Sequence, residues 1–526
     1  MRSQFSNDEF APPEEDDIAT RKNRPYHFEL EPGQRRHWRD YFAPAFTADQ
    51  RADTTIWMAG LTTNHDSFVC AAARGLGYKM ETLPQPDNTT LTIGKEFGNR
   101  GQCNPTYYTV GNLLRKLYEL EKAGWTRDDI IRKFLFFTAG SCGPCRFGMY
   151  ATEYRKALRE AGYEGFRIEQ MIQNDIVNKE QPTGRGIDFN KPFIKAIVKA
   201  FIAGDMLNLM GYRIRPYEIH KGTTNRVMVQ CRELVIEALE KQLPVRAALK
   251  QCRSLLEQIE VNRLQVKPVV SVIGEIWAMT TEGDGNYQIH EFLEQEGAEV
   301  SVQPMYTWLL YLLWEQKRDL RIRTGLRGED KAHRGLRGKD PWKRMLVTRL
   351  LEFAVRNTIR SFARAVGLQH LHIANIEELA ALSHDHYDLE IRGGETFMEV
   401  GKFLEIAANR RAHLVISVKP FGCMPSSGVS DGVQSLTTAR YPNVTFYAIE
   451  TTGDGKASVH SRIQMMLFKA HDRARQEYAE ALDAAGLSTE AAAERLAKNG
   501  RLRSALHYPA HRVATTAANL ATELGH

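Results

Sequence analysis

Apolar and polar positions along the chain change period repeatedly, and the changes mark elements. From residue 54 a short apolar run, TTIWMAGL, gives way to a stretch of helical period, HDSFVCAAARGLG. The order then repeats: KMETLP, the helix TYYTVGNLLRKLYELEKAG, FLFFTAG, the helix FGMYATEYRKALREAG, and FRIEQMI. Short apolar runs separated by helical stretches predict a parallel sheet with crossover helices. From Ile187 to Leu264 the period is helical throughout, with Phe193, Ile194, Ile197, Val198, Phe201 and Ile202 on one stripe behind Pro192. A second alternation opens with PVVSVIGEIWA, helix YQIHEFLEQEG and AEVSVQ. After long helices it resumes with helix ETFMEVGKFLEIAANR, HLVISV, a helix from about Ser430, VTFYAIE and a last helix from Ser458. The predicted fold class is therefore α/β with two parallel-sheet domains and helical insertions. The predicted division is 1–50 an N-terminal tail, 51–186 a first α/β domain and 187–264 a helical region. A second α/β domain spans 265–470, carries a basic helical insert at 305–394, and is followed by C-terminal helices at 471–526.

Length fits this division, because 526 residues exceed one ordinary core. A hydrophobic fraction of 43%, a charged fraction of 25% and a mean hydropathy of −0.42 describe a globular chain. The most apolar run, MYTWLLYLLW at 305–314, is too short to span a bilayer and reads as a buried helix. With an acidic start and no apolar leader, the expected location is the cytoplasm. The first seventeen residues carry six acids against one Arg, together with Pro12 and Pro13, the composition of a disordered tail.

The net charge of +6 is local: between Lys317 and Arg344 the balance is +7. That basic insert echoes itself, GLRGED at 325–330 and GLRGKD at 335–340. It reads first as a solvated surface loop and second as a seat for a phosphate or a nucleic acid backbone.

Seven cysteines fall into two groups. Cys70, Cys231 and Cys252 lie on helical apolar stripes and read as small core hydrophobes. Cys103, Cys142, Cys145 and Cys423 stand in glycine- and proline-marked loops that lead into helices: Gly-Gln-Cys-Asn-Pro, Ser-Cys-Gly-Pro-Cys-Arg-Phe-Gly and Gly-Cys-Met-Pro-Ser-Ser-Gly. A helix N-terminus stabilises an anion and lowers a thiol pKa, which prepares a metal ligand or nucleophile. Ligands of open α/β sheets collect at the carboxyl ends of the strands, so these loops are expected to face one another between the domains. Three chemistries compete: thioredoxin-like exchange, which lacks a strand proline where Pro182 stands; a structural zinc site; and an iron–sulfur cluster.

The Cys103, Cys145 and Cys423 motifs, in that order, resemble the 2-hydroxyacyl-CoA dehydratase superfamily. That group includes benzoyl-CoA reductase subunits, double-cubane cluster proteins and activase-related proteins. The resemblance covers roughly residues 50–470. It implies two flavodoxin-like (Rossmann-like) domains and a 4Fe-4S cluster at their interface, held by Cys103, Cys145 and Cys423. Cys142 is additional, and would replace an exchangeable ligand, help hold a larger cluster of the double-cubane type, or take no part. It further implies a separate ATP-hydrolysing activase that injects one electron, a CoA thioester or other hard-to-reduce substrate, and a homodimer or a heterodimer with a related subunit. No membrane or nucleic acid is expected as a partner.

The chain lacks an activase's phosphate loop. Glu450-Thr-Thr-Gly-Asp-Gly-Lys-Ala-Ser fails the P-loop pattern, and Thr-Glu-Gly-Asp-Gly-Asn at 281–286 fails the dinucleotide pattern, so both read as turns into helices or as cleft lining. His65, Asp66 and Glu275 follow strand ends and are weak candidates for proton handling. Arg146 would balance the charge of a thiolate-rich site or form a surface ion pair.

Overall fold

The computed structural model describes residues 43–141, 145–171, 185–325, 340–391, 393–394, 396–442 and 444–525. The acidic N-terminal tail up to residue 42, Cys142, Pro182 and most of the repeated basic motif lie outside the described residues. Ala45–His526 form one compact unit, which carries all of the architecture below.

Two four-stranded sheets, each wholly parallel, organise that unit. In the first, β1 (Thr55–Met58), β2 (Lys79–Thr82), β3 (Phe134–Ala139) and β4 (Arg167–Met171) run in the order β2-β1-β3-β4. In the second, β5 (Val269–Gly274), β6 (Glu299–Val302), β7 (Leu414–Pro420) and β8 (Thr445–Thr451) run in the order β6-β5-β7-β8. The two orders are the same pattern, and both match the expected flavodoxin-like arrangement of α/β domains with helices on both faces. Central strands buried on both faces read as continuous apolar runs, which is why FLFFTA and VVSVIG were legible.

The faces of the first sheet divide as a pleat requires. Trp57 and Phe136 pack with Leu114 of helix Asn104–Lys122 and Tyr154 of helix Tyr150–Glu160. Ile56, Leu135 and Phe137 pack on the other side with Phe68 of helix Thr63–Gly75 and Phe193 of helix Lys191–Ile214. In the second sheet Val270, Val272 and Ile416 meet Leu293 and Leu467, while Ile273 and Val415 meet Phe403 and Leu404.

The crossover between β2 and β3 holds more helix than the periodicity predicted. Asn88–Phe97 and Arg127–Lys133 flank the expected Asn104–Lys122. Asp87 caps the first of these by accepting from the Thr90 N–H. Asn88–Phe97 lies against Asn104–Lys122 so closely that a Cβ on Gly94 would fall 1.7 Å from the Tyr107 carbonyl oxygen. Only glycine permits that approach.

Cys70, Cys231 and Cys252 are fully buried in the apolar core, as expected. Among the described residues no helix is long and apolar enough to cross a membrane. The described flank of the basic insert is largely paired within the chain: Lys317 with Glu352 (2.8 Å) and Glu377 (3.5 Å), Arg318 with Glu390, and Arg323 with Asp319. Helix Pro341–Val366 buries one side and leaves Trp342, Leu346, Leu350 and Phe353 well exposed on another, an apolar patch of the kind that marks an interaction surface.

Candidate functional site

Loops at the carboxyl ends of β3, β5 and β7, with the loop before helix Asn104–Lys122, bring three cysteines into one neighbourhood. Cys103 is the N-cap residue of Asn104–Lys122, with a proline in the first turn. The next amide, Asn104 N–H, donates to the Phe421 carbonyl (3.0 Å), which ties the Cys103 loop to the Cys423 loop. Gly422, with φ of +75°, makes this contact feasible: a Cβ there would stand 3.0 Å from the Gln102 carbonyl oxygen, 3.3 Å from Arg146 Nη1 and 3.4 Å from Cys103 Cα.

Cys145 follows β3 and caps the short turn Arg146–Met149. It is brought to the same place from the other side. A Cβ on Gly394 would lie 3.9 Å from Cys145 Cβ and 2.7 Å from Cγ of Pro425, two residues past Cys423. Cys423 follows β7 and caps the turn Met424–Ser427, which runs into a π-helical segment, Gly428–Val433. Single π turns in helices occur frequently at functional sites.

Cys103 and Cys423 are buried and Cys145 is half-buried. Met149, Phe421 and Met424, each more than half exposed, are chain neighbours of these thiols. Arg146 donates to the Gly101 carbonyl beside Gly422.

The Cys103 sulfur lies 2.9 Å from the Tyr150 hydroxyl and 3.4 Å from Thr106 Oγ1. The helix N-terminus was expected to lower its pKa. The net direction is upward instead, because burial penalises the thiolate more than the hydrogen bonds from Thr106 and Tyr150 favour it. Glu275, at the end of β5, caps Ile276–Thr280 by accepting from the Ala278 N–H (2.8 Å), and its own N–H donates to Val418 of β7 (2.9 Å). Burial pushes its carboxyl up to about 7, and its charge in turn raises the pKa values of Cys103 and Tyr150.

His65 and Asp66 stand elsewhere, in a closed polar network. His65 Nδ1 pairs with Thr62 Oγ1 (2.7 Å), and His65 Nε2 faces Asp205 at 3.4 Å. Asp205 is occupied by the Met305 and Tyr306 N–H groups at 2.7 Å each. Asp66 accepts from the Leu61 N–H, and burial pushes its carboxyl up to about 7. A Cβ on Gly204 would fall 2.6 Å from the His65 ring. His65 ties its helix to helix Lys191–Ile214, and Asp66 pins the loop before its own helix.

The two glycine-rich turns are joints as well. Asp284 accepts from the Asn88 N–H and donates its own N–H to Pro86, while Gly453 (φ +99°) would place a Cβ 2.1 Å from Leu91. Both press on helix Asn88–Phe97.

Two contributors escaped sequence reading. Tyr150 closes the quoted motif Gly-Pro-Cys-Arg-Phe-Gly-Met-Tyr, but nothing in its spacing says that it meets Cys103. Gly394 lies far along the chain in a loop without pattern. As they stand, the described residues hold no group of three or more His, Cys, Asp or Glu that could bind a metal ion. The three loops do supply the donor chemistry that an iron–sulfur cluster takes, thiols, together with glycine cradles that a Cβ would fill. Comparison with protein-family models and with curated proteins gave no match.

Proposed function

We propose that this chain is an iron–sulfur electron acceptor of the 2-hydroxyacyl-CoA dehydratase type. In this reading it takes one electron from a separate ATP-hydrolysing activase and passes it to a CoA thioester or a comparably hard-to-reduce acceptor. The observation that carries the reading is the meeting of the Cys103 and Cys423 loops through Asn104 and Gly422, with Cys145 brought up beside Gly394. Cys103, Cys145 and Cys423 would hold a 4Fe-4S cluster, which supplies one-electron transfer at low potential.

The chain's own groups have distinct tasks around it. Tyr150 would donate its hydroxyl proton to the Cys103 sulfur, an interaction of the kind that tunes a metal centre from outside its ligands. Glu275, raised to about 7, holds or releases a proton at neutral pH, and its second carboxyl oxygen is the atom that would carry it. Met149, Phe421 and Met424, exposed apolar side chains near the thiols along the chain, would exclude water if a partner or substrate covered the site. A second copy or a related subunit belongs to the same proposal.

The test is an electron count. Anaerobically prepared protein is titrated with a low-potential one-electron reductant and followed by electron paramagnetic resonance. Uptake of about one electron per chain with a paramagnetic iron–sulfur signal is expected. Iron-loaded protein that accepts no electron would overturn the reading.

A further inference from the structure

Four arginines surround a cleft of about 590 Å³ on elements that carry none of the four loop cysteines. Arg253 stands in the last turn of helix Val245–Leu256. Arg360 and Arg364, one turn apart, lie near the end of helix Pro341–Val366, and Arg501 comes from the C-terminal region. All four reach solvent. Leu368, Leu371 and Ile373 give the cleft an apolar side.

The backbone holds the arginines together. Gly367, at φ +85°, ends helix Pro341–Val366 and turns the chain under Arg253. A Cβ at Gly367 would lie 3.3 Å from Arg253 Cγ and 3.2 Å from Leu506 Cδ1, so the helix end is drawn against both neighbours. The next segment is held by Arg213, which donates to the Gln369 carbonyl (2.5 Å).

The charge here is not neutralised. No carboxylate lines the cleft, and among the described residues none of the four guanidinium groups makes an ion pair or a hydrogen bond within the chain. Some basic groups elsewhere are matched, as Arg215 is by Glu294 and Lys317 by Glu352. Two helices end at the cleft, and each C-terminus contributes about half a negative charge. Together they offset about one of the four positive charges, leaving a surplus of about three.

A planar guanidinium fork matches phosphate bidentately. A concavity of this size suits a small organic ligand rather than a bare ion. We propose that the cleft binds an organic polyphosphate of nucleotide size, its phosphates on Arg253, Arg360, Arg364 and Arg501 and its body on Leu368, Leu371 and Ile373. This site is independent of the cysteine cluster, so iron-free protein should bind the ligand as well as iron-loaded protein.

Isothermal titration of the full chain with ATP, ADP and inorganic triphosphate tests it. ATP is expected to bind at least about tenfold more tightly than triphosphate, because only ATP reaches the apolar side. Affinity should fall as salt is raised. The double variant Arg360→Ala, Arg364→Ala should lose at least about tenfold in ATP affinity, and Arg253→Gln, on a different helix, should lose in the same direction. The substituted side chains are exposed, and an unchanged melting curve verifies folding. Absence of binding at millimolar ATP, equal affinity for ATP and triphosphate, or undiminished ATP affinity in both variants would each overturn the proposal.

Discussion

The two sheets repeat one strand order, and the loops at their strand ends have different fates according to position, the corresponding strands β3 and β7 sharing one. After β1 the chain enters the His65–Asp66 network; after β3 and β7 it presents Cys145 and Cys423. In the first place most polar groups are taken up by the fold: Thr62 by His65 and by Asn208 (3.0 Å), Asn208 by Asn64 (2.7 Å), and Asn64 by Arg232 (2.7 Å), while His65 Nε2 makes no hydrogen bond and only faces Asp205 at 3.4 Å. In the second, the loops meet through backbone contacts beside glycines, and the Cys103 sulfur keeps Tyr150 and Thr106 as side-chain partners. Glu275 sits between these extremes, since it caps a helix with one oxygen and acts electrostatically on Cys103.

That contrast should be measurable as stability against cofactor loading. The largest loss of stability is expected for Asp205→Ala, which strands the Met305 and Tyr306 amides and His65 in a buried setting. Chemical denaturation should show a loss of about 3 kcal/mol or more. Survival of full stability would remove the network from its structural role.

A smaller effect concerns pH. Asp66 has its carboxyl raised to about 7 from an ordinary 3.8, so the native state holds a proton that the unfolded chain releases between about pH 4 and 7. Stability should therefore decline as pH rises through that window. Asp66→Asn should reduce the decline, leaving the share from the raised carboxyl of Glu275, and an unchanged slope would show that Asp66 is not a source.

Gly422→Ala comes next. Its positive φ and the neighbouring Gln102 carbonyl and Cys103 Cα should cost about 1–2 kcal/mol. Its larger signature should be poor iron retention after anaerobic reconstitution. Tyr150→Phe should change stability least, by under about 1.5 kcal/mol, because it removes a single hydrogen bond to sulfur. In iron-loaded protein it should shift the midpoint potential to a more negative value, and an unmoved potential would deny Tyr150 its tuning role.

How much of this was legible in the sequence follows from what each feature depends on. All eight strands were visible, because central parallel strands such as Val269–Gly274 and Leu414–Pro420 write their burial as apolar runs. Helix Asn88–Phe97 was not. Its Thr89, Thr90, Thr92 and Ile93 are weak helix formers, and the capping Asp87 and the Gly94 contact outweigh that preference. The cysteine loops could be picked out by their glycines and prolines, whereas their distant partners could not, since Tyr150 meets Cys103 and Phe421 meets Asn104 only through the tertiary fold. The four-arginine cleft was invisible for the same reason. Net charge drew attention to residues 317–344, while Arg253, Arg360, Arg364 and Arg501 are scattered along the chain and gather only in space.

The central claim is that Cys103, Cys145 and Cys423 serve one cluster. Its most direct test is iron and acid-labile sulfide per chain after anaerobic reconstitution, in the unaltered protein and in Cys103→Ala, Cys145→Ala and Cys423→Ala. The account predicts about four of each in the unaltered chain and a marked loss in every variant. An unaltered chain that takes up no sulfide, or three variants that retain its full iron content, would contradict it.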